Sequence, residues 1–258
     1  MGNMEELTGG RMGKIHKMED TVVRPSNKWT KDVHRFLHFL HEKGAEFVPE
    51  PIGITNENEM ITFMPGEVFN YPLPENLLKD TMVISAAKLL LKFHQYSEQY
   101  VPELTNNEQW MLPAVSPVEI LCHGDFAPYN VTVIDNEAVG IIDFDTLHPA
   151  PKMWDIAYAV YRWVPFNNPH SLDSKGILQE QIRKTKLFLD AYGVNSECRN
   201  SFVSVLVERL GSLIEFMRYE ADKGNEDFQL HIKGGHLQLY LDDIEYLRSN
   251  EKEITDGI

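Results

Sequence analysis

The 258-residue sequence predicts an α+β protein with two lobes, a small β-rich lobe over residues 1–66 and a larger, mainly helical lobe over residues 67–258. Short apolar stretches between turn-forming residues fill the first part of the chain, whereas apolar residues at helical spacing dominate the second part. Between them, the MPGE sequence at 64–67 and the proline-rich YPLPEN stretch that follows it indicate a hinge. A hydrophobic content of 43% is enough for a sizeable core.

The first lobe contains signals for four strands and one helix. Residues 8–24 predict a hairpin of short strands around a glycine turn, ended by Pro25. Residues 46–64 predict two more strands around the polar turn at 56–58. Between the two hairpins, residues 30–44 predict a helix, because they carry apolar residues at helical spacing: Val33, Phe36, Leu37 and Leu40.

The second lobe reads mainly as helices. These are predicted over residues 80–98, 154–164, 174–192, 197–222 and 226–250. Its main strand feature is a hairpin of residues 131–134 and 139–142, with the turn centred between Asn136 and Glu137.

The net charge of −15 is unevenly distributed. Residues 1–66 contain 8 basic and 10 acidic side chains (−2), whereas residues 67–258 contain 16 and 29 (−13). Such a charge repels nucleic acids and anionic lipids, so neither is an expected partner, and it attracts cationic molecules. Solubility alone explains an acidic surface equally well.

Other features of the chain indicate a cytoplasmic protein. The sequence has no apolar stretch long enough to span a membrane, and its polar N-terminus does not resemble a signal peptide. The two cysteines cannot build a disulfide framework, which fits a reducing compartment.

Polar side chains are concentrated at one end of the predicted hairpin. With the turn centred between positions 136 and 137, Asn130 and Asp143 face each other across the strands if no bulge intervenes. Asp125 enters the same end from the preceding loop. Carboxylate and amide oxygens that converge in this way suit a hard cation such as Mg²⁺.

The spacing of these residues is informative. Residues 123–130, HGDFAPYN, have the H-x-D-x₄-N pattern of a kinase catalytic loop, and Asp143 lies where the metal-binding aspartate of a kinase follows. The sequence resembles the aminoglycoside phosphotransferase/choline kinase family, which has a protein-kinase-like fold. CHGDFAPYN and IDFDTLHPAPKMWDIAYAVY carry the resemblance over residues 120–162, and TVVRPSNKWTKDVHRFLHFL and ITFMPGE extend it more weakly.

The resemblance implies roles for five residues of the larger lobe. Asp125 matches the catalytic aspartate that orients the acceptor hydroxyl, a role worth about 10²–10⁴ in rate for a positioned base. Asn130 and Asp143 match the ligands of a magnesium ion that bridges nucleotide phosphates. His123 and Asp155 match residues that brace the catalytic loop.

The resemblance also implies a site for ATP or GTP in the small lobe. Arg24 stands at the position of a phosphate-binding lysine, and its guanidinium can replace that charge. The backbone of Phe63 and Met64 matches the linker that contacts the adenine. Gly9 and Gly10 could let backbone N–H groups approach the phosphates, although a plain hairpin turn explains them as well.

One part of the pattern is missing. The helix that follows Arg24 should offer a glutamate to pair with it, but its polar side offers His34, His38 and His41 and no convincing acid. The three histidines could hold zinc, although one solvated helix face is the more ordinary interpretation.

Three acidic residues are candidates for substrate binding. Asp145 could assist the metal, contact a substrate cation or cap its own loop. Glu208 and Glu215 share one stripe of a predicted helix, which would either line the acceptor pocket or form a charged outer face.

The sequence therefore predicts a Mg²⁺-dependent kinase that moves the γ-phosphoryl of a nucleoside triphosphate to a hydroxyl of a small, amino-containing molecule, aminoglycoside- or choline-like. No protein partner is evident. The alternative is a catalytically degenerate, nucleotide-binding or regulatory module, suggested by Arg24 and the missing helix glutamate. A metal-dependent hydrolase is a weaker third interpretation.

Overall fold

The computed structural model describes residues 4–7, 15–105, 107–169 and 177–258. Its contacts form two compact units, and each contains two segments of the chain. The first unit combines the described part of Met1–Val68 with Leu91–Lys152, and the second combines Phe69–Leu90 with the described part of Met153–Ile258. The lobe boundary predicted between residues 66 and 67 remains a prediction.

The first unit begins with a five-stranded antiparallel sheet of order β1-β2-β3-β5-β4. The strands are β1 (Met4–Leu7), β2 (Ile15–Met18), β3 (Thr21–Pro25), β4 (Pro51–Ile54) and β5 (Asn58–Thr62). The predicted glycine turn, which includes Gly9 and Gly10, lies outside the described residues.

The predicted helix of the small lobe is present as α1, Thr30–Glu42. Its apolar residues Val33, Phe36, Leu37 and Leu40 are all buried. Gly44 follows the helix with φ +85°, a left-handed conformation that glycine adopts without steric cost and that ends many helices. The helix predicted over residues 30–44 and its buried apolar face are therefore confirmed.

Two pairs of short strands build the remainder of the first unit's β-structure. β6 (Ile120–Cys122) pairs with β9 (His148–Ala150), and β7 (Val131–Ile134) pairs with β8 (Glu137–Ile141). The β7–β8 hairpin is bonded to the segment after β5, because Glu67 and Val133 exchange backbone hydrogen bonds of 3.0 and 2.8 Å.

The predicted hairpin register is wrong by one residue. The turn consists of Asp135 and Asn136, with φ of 51° and 63°, the left-handed values that a tight two-residue hairpin turn requires. In addition, Val139 is bulged, because Thr132 pairs with Gly140 whereas the next pair joins positions 133 and 138.

The corrected register moves one metal-site candidate past the end of the strand. Asn130 faces Ile142, whose N–H donates to the Asn130 carbonyl at 2.9 Å. Asp143 is therefore not opposite Asn130 but one residue further along the chain.

The second unit is built from helices. After a short 3₁₀ helix, Glu75–Leu78, they are the first part of α2 (Asp80–Ser97), most of α3 (Lys152–Trp163), α4 (Leu178–Tyr192), α5 (Ser196–Arg199), α6 (Phe202–Asp222), α7 (Glu226–Lys233), α8 (His236–Ser249) and α9 (Glu251–Gly257). Two helices predicted as continuous are each broken in two. Gly234 and Gly235 separate α7 from α8, and Gly235 has φ +87°. Among the described residues, no helix is long and apolar enough to cross a membrane.

Candidate active site

The loop that joins β6 to β7 begins with a conformation that requires glycine. Gly124 has φ +81°, and a Cβ added there would lie 2.5 Å from the carbonyl oxygen of Thr146 and 3.2 Å from Cε1 of His148. Any side chain would therefore clash with backbone as well as strain its own dihedral angles. This glycine sets the direction in which the chain enters Asp125.

Two neighbours hold the Asp125 carboxylate. The Tyr129 hydroxyl donates to one carboxylate oxygen at 2.7 Å, and the Asn130 amide donates to the other at 3.1 Å. The same amide group also donates to the Asp125 carbonyl at 3.0 Å. The predicted catalytic residue and one predicted metal ligand are thus in direct contact, and Asn130 is bonded to the end of β8 through Ile142.

His123 connects the catalytic loop to the end of β8. Its Nδ1 accepts from the Asp125 backbone N–H at 3.2 Å, so Nε2 carries the proton and donates to the Ile142 carbonyl at 2.9 Å. The Thr146 hydroxyl donates to the His123 carbonyl at 2.8 Å. The bracing role of His123 remains a prediction, and these are the hydrogen bonds through which it would act.

Buried aromatic side chains pack against one another within and beside the loop that joins β6 to β7. The rings of His123 and Phe144 are 4.9 Å apart, and Phe93 lies 5.8 Å from Phe144 and 6.4 Å from His123. Phe126, inside the loop, has its ring 6.4 Å from that of His123. All four side chains are buried, so the loop rests on a packed apolar layer that limits its movement.

Asp143 adopts a strained conformation at the end of the hairpin. Its φ of 61° and ψ of 68° lie in the left-handed region, which aspartate tolerates better than most residues and which is enriched at functional sites. It precedes a 3₁₀ turn, Phe144–Thr146, and its side chain is 47% exposed. The carboxylate is thus partly open to solvent.

Arg24 brings positive charge to the two acids that follow the hairpin. Its Nη1 donates to Asp143 at 2.7 Å and its Nη2 donates to Asp145 at 3.2 Å. Burial alone would lower the pKa of Arg24, but the carboxylates of Asp145, Asp143 and Glu59 raise it far above its ordinary value. The guanidinium is therefore a permanent cation beside the predicted metal ligand.

Asp145 is enclosed by two donors. Trp29 Nε1 donates to it at 3.0 Å, in addition to Arg24. Burial raises the pKa of Asp145 to about 6, the charge of Arg24 opposes this shift, and the nearby charge of Asp143 adds to it. The geometry gives Asp145 a place in an ion-pair network with Arg24, a role outside the three predicted for it, which remain predictions.

Arg24 also has the acidic partner that sequence reasoning could not find. Its Nε donates to Glu59 at 2.8 Å, and the other oxygen of Glu59 lies 2.7 Å from His34 Nε2. Glu59 lies on β5, directly opposite Arg24 in the β3–β5 register. Cross-strand pairing was the signal that could have revealed it, but a register between strands separated by a helix is a tertiary property.

The three histidines of α1 have different environments. His34 contacts Glu59, His41 lies 3.0 Å from the Val48 carbonyl through its Nε2, and His38 is exposed. Within the described residues, no group of three or more His, Cys, Asp or Glu side chains is arranged to hold a metal ion. The zinc interpretation therefore has no support there.

The linker after β5 lies beside a cavity of about 480 Å³. Phe63 and Met64 line it, together with residues of α1, the segment before β4, the end of β5 and the β7–β8 hairpin. The Phe63 amide donates to the Asp20 carbonyl at 2.7 Å, and Lys17 Nζ lies 3.6 Å from the centre of the Phe63 ring. The Phe63 N–H is thus engaged within the sheet.

The remaining predicted residues lie elsewhere in the chain. Asp155 is completely buried on α3, and Glu208 and Glu215 are exposed on α6. These three belong to the second unit. Their roles remain predictions.

The donor set fits a hard divalent cation. Asn130 and Asp143 offer amide and carboxylate oxygens, the ligands that Mg²⁺ prefers. The guanidinium of Arg24, bound to Asp143 and Asp145, shows that a cation is accommodated beside the Asp143 carboxylate.

Comparison with known proteins identifies a family model, a curated relative and solved structures that are similar to this chain. The family model described as a phosphotransferase enzyme family (APH) matches residues 97–178, which include the catalytic loop and Asp143. A curated relative, the trifolitoxin immunity protein of Rhizobium leguminosarum bv. trifolii, is 23% identical over 208 residues, covering 78% of each chain.

Solved structures share the fold over almost the whole chain. The amicoumacin kinase hAmiN, solved with AMP-PNP, Ca²⁺ and Ami, has a TM-score of 0.64 at 14% identity, covering 98% of this chain and 88% of its own. An ethanolamine kinase of Plasmodium vivax has a TM-score of 0.65 at 15% identity, covering 96% and 83%.

The chain therefore has a protein-kinase-like α+β fold, with an N-terminal antiparallel sheet and a mainly helical C-terminal part. These matches confirm its predicted resemblance to the aminoglycoside phosphotransferase/choline kinase family.

Proposed function

We propose that the protein is a small-molecule kinase that transfers the γ-phosphoryl group of ATP or GTP to a hydroxyl group. The observation that carries the proposal is the arrangement around Asp125. Its carboxylate is held by Tyr129 and Asn130, and Asn130 is bonded to the residue that precedes Asp143. The base and the amide are thus hydrogen-bonded to each other, and the second acid follows the residue bonded to the Asn130 backbone, an order that matches the one used in phosphoryl transfer by kinases.

Asp125 has the role of orienting the acceptor. Its carboxylate accepts a hydrogen bond from the acceptor hydroxyl and takes up the proton as the oxygen attacks. A bond forms between that oxygen and the γ-phosphorus, and the bond from the γ-phosphorus to the β–γ bridging oxygen breaks, so the nucleoside diphosphate leaves. Tyr129 and Asn130 keep the carboxylate in one orientation, which favours a near-attack geometry.

Asn130 and Asp143 would hold Mg²⁺ in this scheme, and the ion would supply charge neutralisation for the phosphates. Arg24 contributes a fixed positive charge to the same group, with a fork of donors that matches phosphate oxygens. Asp143, whose backbone is left-handed, accepts a hydrogen bond of 2.7 Å from Arg24 through its carboxylate.

The proposed acceptor is a small molecule that carries amino groups. The net charge of −15 favours cationic ligands, and two similar structures are named as kinases of amicoumacin and of ethanolamine. A cytoplasmic location is proposed with it, because nucleotide donors are found there and the two cysteines, Cys122 and Cys198, are thiols rather than a disulfide.

The test is a transfer assay with a matched pair of variants. Wild-type protein, Asp125→Asn and Asp135→Asn are incubated with Mg²⁺, labelled ATP or GTP and a panel of aminoglycosides, amino alcohols and peptide antibiotics. Asp135 lies in the exposed turn at the other end of the same hairpin, and asparagine tolerates its positive φ. We expect Asp125→Asn to lose about 10²–10⁴ in rate while nucleotide binding persists, and Asp135→Asn to match the wild type.

Two outcomes would contradict the proposal. Unchanged transfer by Asp125→Asn would remove that residue from the chemistry. Nucleotide binding by the wild type, measured calorimetrically, without product from any acceptor would favour the degenerate nucleotide-binding module instead.

A further inference from the structure

A buried carboxylate lies behind Arg24 and has no place in the scheme above. Glu59 is 1% exposed, and its two oxygens contact Arg24 Nε at 2.8 Å and His34 Nε2 at 2.7 Å. We infer that Glu59 and His34 are positioning residues that orient Arg24 toward the nucleotide phosphates. The inference rests on the proposed function and assigns to β5 and α1 together the task that the absent helix glutamate would have.

The geometry of the guanidinium explains why Glu59 controls its direction. The group is planar, so a hydrogen bond from Nε fixes the plane in which Nη1 and Nη2 lie. With Nε bound to Glu59, both terminal nitrogens face the acids after the hairpin, Asp143 and Asp145. The fork of Arg24 is therefore presented at the predicted metal ligand, where nucleotide phosphates would be bound.

The β-sheet supplies the alignment. Arg24 and Glu59 are direct partners in the antiparallel β3–β5 register, so their side chains share one face of the sheet. Thr21 and Thr62, at the other end of the same ladder, keep the register over five residue pairs. The separation of the two groups is thus set by the backbone rather than by flexible side chains.

His34 is needed because the second oxygen of a buried carboxylate requires a donor. An unpaired charge at 1% exposure would be costly, and His34, itself 5% exposed, supplies the hydrogen bond. With one oxygen held by His34, the other is left in position for Arg24 Nε.

Helix α1 also contacts the surroundings of Arg24 through the residue at its N-terminal end. Trp29, at the N-terminal end of α1, donates to Asp145, and His34 lies one and a half turns further along the helix. The placement of α1 therefore determines the surroundings of both ends of the Arg24 side chain, its Nε side through Glu59 and its Nη2 side through Asp145. A purely structural ion pair between Arg24 and Glu59 would not require the two terminal nitrogens of Arg24 to contact Asp143 and Asp145.

The test compares nucleotide affinity and kinetics in five variants. We would measure ADP binding by calorimetry, the KM for the nucleotide, kcat and the melting temperature for Glu59→Gln, His34→Leu, His34→Gln, Arg24→Met and the double variant Arg24→Met/Glu59→Gln. The matched control is Glu57→Gln, an exposed residue two positions before Glu59.

We expect Glu59→Gln to weaken ADP binding and raise the nucleotide KM about tenfold, the size of one charge-assisted hydrogen bond, with a smaller change in kcat. His34→Leu should weaken binding in the same direction, whereas His34→Gln should restore it, because a glutamine amide can donate to Glu59. Glu57→Gln should match the wild type.

The double variant distinguishes positioning from a merely structural role. If Glu59 acts through Arg24, Arg24→Met/Glu59→Gln binds ADP no more weakly than Arg24→Met alone. Additive losses would overturn the inference while leaving the proposed function intact, since wild-type transfer is measured alongside. If Glu59→Gln does not fold, equal ADP affinities of His34→Leu and His34→Gln would overturn it. A wild-type protein that binds no ADP and transfers no phosphate would instead contradict the proposed function itself.

Discussion

Replacing Gly124 with alanine tests whether the catalytic loop is held by close backbone packing. The added Cβ would lie 2.5 Å from the Thr146 carbonyl oxygen, which belongs to a backbone that cannot rotate away. Two costs follow. A left-handed φ costs a non-glycine residue about 1–2 kcal/mol, and overpacking costs about 1–3 kcal/mol more. The free energy of unfolding should therefore fall by roughly 2–5 kcal/mol in total.

Gly44→Ala is the matched control. Gly44 has φ +85°, almost the same as the +81° of Gly124, but nothing lies within 4 Å of an added Cβ there. It should lose only the dihedral cost, about 1–2 kcal/mol. The difference between the two variants, about 1–3 kcal/mol, isolates the contact with Thr146.

Urea unfolding followed by fluorescence and circular dichroism measures both variants, and the transfer assay is run beside it. Because Gly124 sets the entry of the chain into Asp125, Gly124→Ala should also lose transfer activity, whereas Gly44→Ala should keep it. If the two variants were destabilised equally and both remained active, the close packing of the loop would not have the role argued for it.

Three further predictions concern stability and metal binding. Burial opposes the ionisation of Glu108, but hydrogen bonds from Thr105 and Arg35 lower its pKa to about 2 from an ordinary 4.5; Glu108→Gln should therefore cost about 1–2 kcal/mol of unfolding free energy at neutral pH. That difference should shrink as the pH falls from about 4.5 toward 2 in urea titrations, and a constant difference would contradict it. Phe93→Ala should cost about 3–5 kcal/mol in thermal unfolding and Phe93→Leu far less, because alanine leaves a cavity at this buried position and leucine fills most of it; similar losses would argue against the apolar layer. Arg24→Met should bind Mn²⁺ alone more tightly than the wild type in paramagnetic titrations, since the guanidinium no longer competes for acidic oxygens; unchanged affinity would refute that competition.

Much of the catalytic loop was predictable because its signals are local. The spacing of His123, Asp125 and Asn130 within eight residues determines which side chains a short loop can bring together, and the structure joins all three by hydrogen bonds or through the end of β8. Helix α1 was predictable for the same reason, since its apolar spacing and terminal glycine act within a few turns.

The register of the hairpin was less accessible. The turn at Asp135 and Asn136 shifts the pairing by two positions from the predicted one, and the bulge at Val139 reverses one of them, so Asp143 lies one position beyond the residue that faces Asn130. A bulge adds one residue without interrupting the apolar pattern, so neither composition nor periodicity revealed it. Gly234 and Gly235 mark the break between α7 and α8, but helical spacing on both sides of them predicted one continuous helix.

The sequence by itself determined which polar side chains the candidate site contains, namely the acids, the amide, the histidine and the guanidinium, and the order in which the chain presents them. Only the tertiary structure decided which of these side chains form hydrogen-bonded pairs. Glu59 became the partner of Arg24, and His34 the partner of Glu59, through strand register and helix packing between segments up to 35 residues apart. Contacts of this kind depend on how separate elements are aligned in space, and no spacing along a chain records that alignment.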